Sequence, residues 1–154
     1  MNHLLDVTGL DIGLLSDADL RTLTGKLCEA DSALMRPQPI AITAMTEAEI
    51  LHGIERLPAG RRQQALRQPW EELMADLFGG YSLPFSSEAA PWYGELVSRR
   101  ERLSRPISSA DAVIAATTLA HGAQLATRNT ADFEAIGLAL INPWLGLAPS
   151  PERR

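Results

Sequence analysis

Two neighbouring stretches decide how the chain is read: Ile107-Ser108-Ser109-Ala110-Asp111-Ala112-Val113-Ile114-Ala115-Ala116-Thr117, then Leu125-Ala126-Thr127-Arg128-Asn129-Thr130-Ala131-Asp132-Phe133. Ser108 or Ser109 is a helix N-cap residue, and Gly122 stands in the usual place just past a helix end. A helix is therefore predicted from Asp111 to Ala120. The run Ala112 to Ala116 is apolar on nearly every side, so this helix is expected to be buried with one acid at its mouth. Ala123 to Thr127 read as a strand. Arg128-Asn129-Thr130 form a loop, and Asp132-Phe133 begin a short helical turn.

Working outward, the same alternation continues in both directions. Leu138 to Ile141 suggest a final strand stopped by Asn142-Pro143. Upstream, Ser86 or Ser87 opens a helix reaching about Leu103, and Tyr81 to Phe85 read as a short strand. A long helical region covers Arg61 to Phe78, with Pro69 expected to divide it into two pieces. Pro58-Ala59-Gly60 breaks it from an earlier helix, which Thr46-Glu47-Ala48-Glu49 opens as a capping-box pattern. Ile40 to Thr43 read as a strand before that helix. Ser16 or Asp17 caps a further helix through Leu20, Leu23 and Leu27, which Arg36-Pro37-Gln38-Pro39 stops, and His3 to Val7 read as the first strand. Strands alternating with helices predict an α/β fold with a mostly parallel sheet of four or five strands covered on both faces. Residues 1–145 are assigned to this one domain, and 146–154 to a flexible C-terminal tail.

Composition bounds the class. The chain has 154 residues, 45% of them hydrophobic and 21% charged, which suits one ordinary globular domain. The single cysteine, Cys28, rules out an intrachain disulfide and points to a reducing, cytoplasmic setting. No apolar run approaches the roughly 20 residues that cross a bilayer, and the N-terminal residues lack the pattern of a signal peptide. A formal net charge of −5 argues against a protein that coats nucleic acid, since such binding neutralises many phosphates. It is compatible with an enzyme whose carboxylates hold metal ions.

Strand C-termini and the N-termini of following helices share one edge of a parallel sheet, where ligands bind. Asp6 ends the first strand. Glu49 stands in the first turn of the helix after the second strand, and Asp111 in the first turn of the helix leading into the strand at 123–127. Asn129 and Asp132 lie just past that strand. Carboxylates gathered in this way repel one another unless a hard cation lies between them, and such a cation supports phosphodiester hydrolysis. Ordinary explanations stand beside these readings. Glu49 is the reciprocal partner of Thr46 if a capping box forms, and Asp111 favours the helix dipole by about 0.3–1 kcal/mol.

The quoted stretches resemble the VapC/FitB branch of the PIN-domain ribonucleases. So does Thr46-Glu47-Ala48-Glu49-Ile50-Leu51-His52-Gly53-Ile54-Glu55-Arg56-Leu57-Pro58-Ala59-Gly60-Arg61-Arg62, and Asn142-Pro143-Trp144 closes the match. The likeness spans about Ile40 to Trp144. It implies a three-layer PIN fold and RNA cleavage with Mg²⁺ or Mn²⁺. It also implies a homodimer and a small VapB-like antitoxin as partner. Carried over by motif, Glu49 is the family's second acid and Asp111 its third, a metal ligand. The fourth position falls on Asn129, which is uncharged, with Asp132 three residues on. The family's first acid, in Asp-Thr-Asn, is matched imperfectly. Leu5-Asp6-Val7-Thr8-Gly9 fits a strand end, while Leu10-Asp11-Ile12-Gly13-Leu14-Leu15-Ser16 fits the apolar-apolar-Ser spacing that follows the acid. The metal is thus assigned to Asp6 (or Asp11) and Asp111, with Thr127 and Arg128 as candidate RNA contacts. The competing class is a PIN-fold interaction module that binds an antitoxin or dimerises without cleaving RNA.

Other chemistries are poorly served. His3, His52 and His121 lack zinc-ligand spacing, and neither a Gly-x-Ser-x-Gly elbow nor a Walker loop is present. Asp6-Val7-Thr8 fails the Asp-x-Asp pattern of haloacid-dehalogenase-like phosphatases. Arginines cluster at Arg56, Arg61, Arg62 and Arg67, and at Arg99, Arg100, Arg102 and Arg105. Either they form solvated faces carrying Glu–Arg pairs or they line a rim that guides an RNA strand. Trp70, Trp92, Tyr93 and Trp144 are core or dimer contacts, or else base-stacking groups.

Overall fold

Parallel strands cannot be joined by tight turns, so each return needs a longer crossover, most often a helix lying across the sheet. The computed structural model describes the backbone of residues 3–5 and all of residues 40–142. The described elements are strand β1 (His3–Leu5), strand β2 (Ile40–Ala41), helices α1 (Ala44–Glu55), α2 (Arg61–Phe78), α3 (Ala90–Arg102) and α4 (Ser109–Ala120), strand β3 (Gln124–Ala126), a 3-10 turn (Thr130–Phe133) and strand β4 (Leu140–Ile141). Among these residues the sheet has four strands in the order β2-β1-β3-β4. All pairings are parallel: His3 is level with Ile40 and Gln124, Leu5 with Ala126, and Ala126 with Ile141.

Successive strand residues point to opposite faces, and both faces are covered. Ala126 belongs to an apolar cluster with Ile42, which follows β2, and with Ile50, Ile54, Trp70, Leu73, Met74 and Phe78 of α1 and α2. Its neighbour Leu125 belongs to a second cluster with Leu96 of α3, Ala112, Ile114, Ala115 and Ala116 of α4, and Phe133 and Ile136. The expected α/β/α layering is present. No helix among the described residues is long and apolar enough to cross a membrane.

Several local expectations are corrected. Helix α2 runs unbroken through Pro69. A missing N–H and a ring clash normally end a helix, but here the residues beyond the proline bury Trp70, Leu73, Met74 and Phe78 in the core. The stretch Tyr81 to Phe85 makes no strand of the sheet. Its Leu83 bridges in parallel to Thr43, donating to Ile42 O at 2.8 Å and accepting from Ala44 N at 2.8 Å. Ser82 Oγ donates to Glu47 Oε2 at 2.5 Å, fastening the same stretch to the start of α1. Helix α3 begins at Ala90 rather than at Ser86 or Ser87, with the buried Ala89 as its N-cap residue. Gly79, at φ 61, closes α2 in the left-handed conformation that glycine adopts at least cost.

The expected capping box at Thr46 and Glu49 does not form. Thr43 is the N-cap residue: its Oγ1 accepts the Thr46 N–H at 3.1 Å and lies 2.9 Å from the Thr46 hydroxyl. Both threonines are buried, so each hydroxyl needs the other. Thr43→Ala is expected to lower stability by about 1–2 kcal/mol, read as a shift of the urea midpoint at unchanged slope.

Candidate active site

The carboxyl ends of the parallel strands define one edge, and the connections decide which side chains reach it. Helix α1 follows β2 after Ile42 and Thr43, so its N-terminus stands at that edge. Helix α4 returns to β3 through His121, Gly122 and Ala123, with Gly122 at φ 59. So short a connection makes α4 antiparallel to β3 and brings its N-terminus to the same edge. The 3-10 turn follows β3 there. Helix α4 packs against α1, β3 and the 3-10 turn, which makes it the hub of the edge.

Asp111 is the third residue of α4 and is half-buried. Ser108 Oγ accepts the Asp111 N–H at 3.1 Å and donates to Asp111 Oδ2 at 2.6 Å, a reciprocal cap that fixes the carboxylate at the helix mouth. Behind it Ala112, Ile114, Ala115, Ala116, Thr117 and Thr118 are all buried. The Thr117 and Thr118 hydroxyls donate back to Val113 O at 2.8 Å and Ile114 O at 2.7 Å, so the buried helix carries its polar atoms satisfied.

Glu49 lies in the second turn of α1, a correction to the first-turn placement, because the helix starts at Ala44. Residues four apart share a helix face, and Met45 packs against the cluster that contains Ala112, Ala115 and Ala116. The half-buried Glu49 therefore stands on the side of α1 turned toward α4. The first-turn acid, Glu47, is bound to Ser82 instead.

At the end of β3, Thr127 is 1% exposed, and its Oγ1 accepts the Asn129 N–H at 3.1 Å. It shapes the turn from beneath, while Arg128 and Asn129 are exposed above it. Asn129 Nδ2 donates to Asp132 Oδ2, so the two residues expected to act together do touch. Asn142 Nδ2 reaches Arg128 O at 3.5 Å from the end of β4. Asp6, Asp11 and Trp144 lie outside the described residues.

The arginine clusters divide. Arg67 pairs with Glu55, and its Nη1 lies 3.9 Å from Glu71 Oε1, as a solvated Glu–Arg face predicts. Arg100, by contrast, is buried, which the sequence reading missed; the only signal was its place in a helix with Leu96, one turn earlier, also inward. Trp70 is core. Trp92 is 41% exposed, and Tyr93 meets Phe85 edge-on at 6.0 Å between ring centres. At the opposite end of α3 from the site, the Ser86 hydroxyl holds the Glu88 carboxyl below its ordinary range, with a smaller effect from His121.

The family model that matches this chain is that of the PIN domain, over residues 25–138. This chain belongs to the PIN-domain family. Among PIN proteins it is similar to VapC ribonuclease Y4jK of Sinorhizobium fredii, with 37% identity over 107 residues, 70% of this chain and 76% of that one. It is also similar to toxin FitB of Neisseria gonorrhoeae, with 34% identity over 107 residues, 70% of this chain and 77% of that one. The crystal structure of FitAcB from Neisseria gonorrhoeae superimposes with a TM-score of 0.72 at 29% identity, covering 92% of this chain and 98% of that chain.

Within this PIN domain, the cap at Ser108 is separable from the acid it orients. Ser108→Ala is expected to cost about 0.5–2 kcal/mol in urea unfolding. Circular dichroism should show the same helix content, since α4 is held by its buried face.

Proposed function

We propose that this protein is a metal-dependent endoribonuclease, the toxin of a toxin–antitoxin pair, and that its substrate is single-stranded RNA. The observation that carries the reading is the meeting at one sheet edge of the α4 mouth, with Asp111, and the turn after β3, with Asn129 and Asp132. The relatives named VapC ribonuclease and toxin FitB support it. A small antitoxin is the proposed partner, supported by the FitAB structure among the structural neighbours, at 29% identity. A homodimer is proposed on the family resemblance alone.

The donor set suits Mg²⁺ or Mn²⁺. Asp111, Glu49, Asp132 and the Asn129 amide offer oxygen atoms, the ligands hard divalent cations take. Among the described residues no three acids, histidines or cysteines stand close enough to hold a metal. The set therefore needs another acid, and Asp6, one peptide bond beyond Leu5, is our first choice, with Asp11 second. Asp6 and Asp111 would hold the metal, and Glu49 would complete the site or position water. When bound, such an ion polarises the phosphodiester and offsets charge on the departing oxygen.

The chain's own residues have distinct tasks in this scheme. Asp111 is held at one rotamer by Ser108, which limits the reorganisation needed on binding. Asn129 donates its NH₂ to Asp132 and so keeps its amide oxygen as an acceptor. Arg128, exposed beside it, would contact a phosphate of the RNA strand. Thr127, an RNA-contact candidate by sequence, is buried and would act by shaping that turn.

Purified protein should cut a mixed single-stranded RNA pool with Mn²⁺, stop in EDTA, and lose about 100-fold or more of its rate as Asp111→Asn. The uncharged Asn129 favours a specific second reading, an interaction module that has lost cleavage. Folded protein that neither cuts RNA nor binds Mn²⁺ by calorimetry would establish that module instead.

A further inference from the structure

Arg100, in the last turn of α3, is 3% exposed, an uncommon place for a guanidinium. Burying a charge is costly unless its donors are satisfied, and Arg100 uses its own on backbone carbonyls of two different segments. Its Nε donates to Arg105 O at 2.6 Å, and its Nη1 donates to Glu134 O at 2.9 Å. Arg105 is gripped from both sides, because its N–H also donates to Arg100 O at 3.0 Å.

The two gripped segments are the ones that carry the candidate site. Arg105 stands in the loop between α3 and α4, three residues before the Ser108 cap that orients Asp111. Glu134 follows the 3-10 turn, two residues after Asp132 and five after Asn129. Both segments are also strained. The non-glycine residues with left-handed backbone among those described are Ser104, at φ 53, and Ala135, at φ 63. Each is the immediate neighbour of a carbonyl that Arg100 binds. Such conformations persist only where the surroundings over-determine them, and they gather at functional sites.

We propose that Arg100 is a positioning residue for the nuclease site. Its one buried guanidinium fastens the loop that delivers Asp111 to the segment that follows Asn129 and Asp132, and so sets the spacing of the two halves. A planar fork with fixed donors can hold two carbonyls at a defined angle; a lysine ammonium cannot span both in the same way. On the outside, Arg105 Nη2 and Glu134 Oε2 join the same two segments at 3.4 Å, but both side chains are about half exposed, where ion pairs contribute little. The role rests on the ribonuclease reading given above.

The test compares the wild-type protein with Arg100→Met, Arg100→Lys and Glu134→Ala, measuring amide hydrogen exchange, thermal unfolding and steady-state RNA cleavage with Mn²⁺. Methionine keeps the buried stem and removes the donors. In Arg100→Met, exchange should quicken by about tenfold or more in both 103–111 and 129–137, with α1 and α2 unchanged. Its kcat should fall by about 10- to 100-fold while KM for RNA stays near wild type. Arg100→Lys should fall between Arg100→Met and wild type, and Glu134→Ala, which removes only the outer ion pair, should stay within about twofold of wild type. The proposal is overturned if Arg100→Met keeps kcat within about twofold, or if exchange quickens in only one of the two segments. Should Arg100→Met not fold, Arg100→Lys is judged by the same two criteria. A wild-type protein that cuts no RNA would sink the ribonuclease reading instead, and the exchange pattern would still decide whether Arg100 ties the two segments.

Discussion

The close fit of α4 against its surroundings is the constraint on which the rest depends. A helix enclosed by a sheet strand, two neighbouring helices and a 3-10 turn has room for small side chains, and alanine and threonine supply them at most of its buried positions. Its threonines satisfy their hydroxyls on the helix's own carbonyls, so they ask nothing of the neighbours. With the flanks closed, a carboxylate is tolerable only at the end, where Ser108 and the positive end of the helix dipole receive it. The placement of Asp111 follows from this packing. Its use by a metal would be a second consequence of the same geometry.

Much of this was legible from residues whose signals are local. Ser108, the apolar run after Asp111 and Gly122 together bound α4 to within two residues, because a cap, a buried face and a left-handed stop are properties of short stretches. Gly60 and Gly79 bracket α2 for the same reason. What escaped was set by tertiary contact. Pro69 stays inside a helix because the turns beyond it are buried, and burial is not visible in a proline. Tyr81 to Phe85 has strand composition, yet its place beside Thr43 allows one bridge and no more. Thr43 takes the cap that the Thr46-x-x-Glu49 pattern predicts for Thr46, because the strand ends earlier than its apolar residues do.

The site was read less evenly than the fold. Asp111, Asn129 and Asp132 fall where sheet-edge reasoning puts them. Glu49 reaches its place from the second turn, through the shared face with Met45. Arg100 could not be told from Arg99 or Arg102 by sequence, since three basic residues at a helix end look alike until one of them turns inward. A solvated basic face and a buried clamp are thus written with the same letters.

The strand order carries a consequence in time. β1 is not at the rim of the sheet but between β2 and β3, and its His3 is level with both Ile40 and Gln124. Sheet pairing over such separations is slow, since the intervening chain must be gathered before any contact rewards it. On a ribosome, which delivers the chain from its N-terminus, the central strand is made early and waits for its second neighbour until β3 has emerged. The edge that assembles Asp111 with the turn after β3 does not exist in any shorter nascent chain. A protein that cuts RNA from such an edge would be harmless to the messenger being translated until the turn after β3 had emerged.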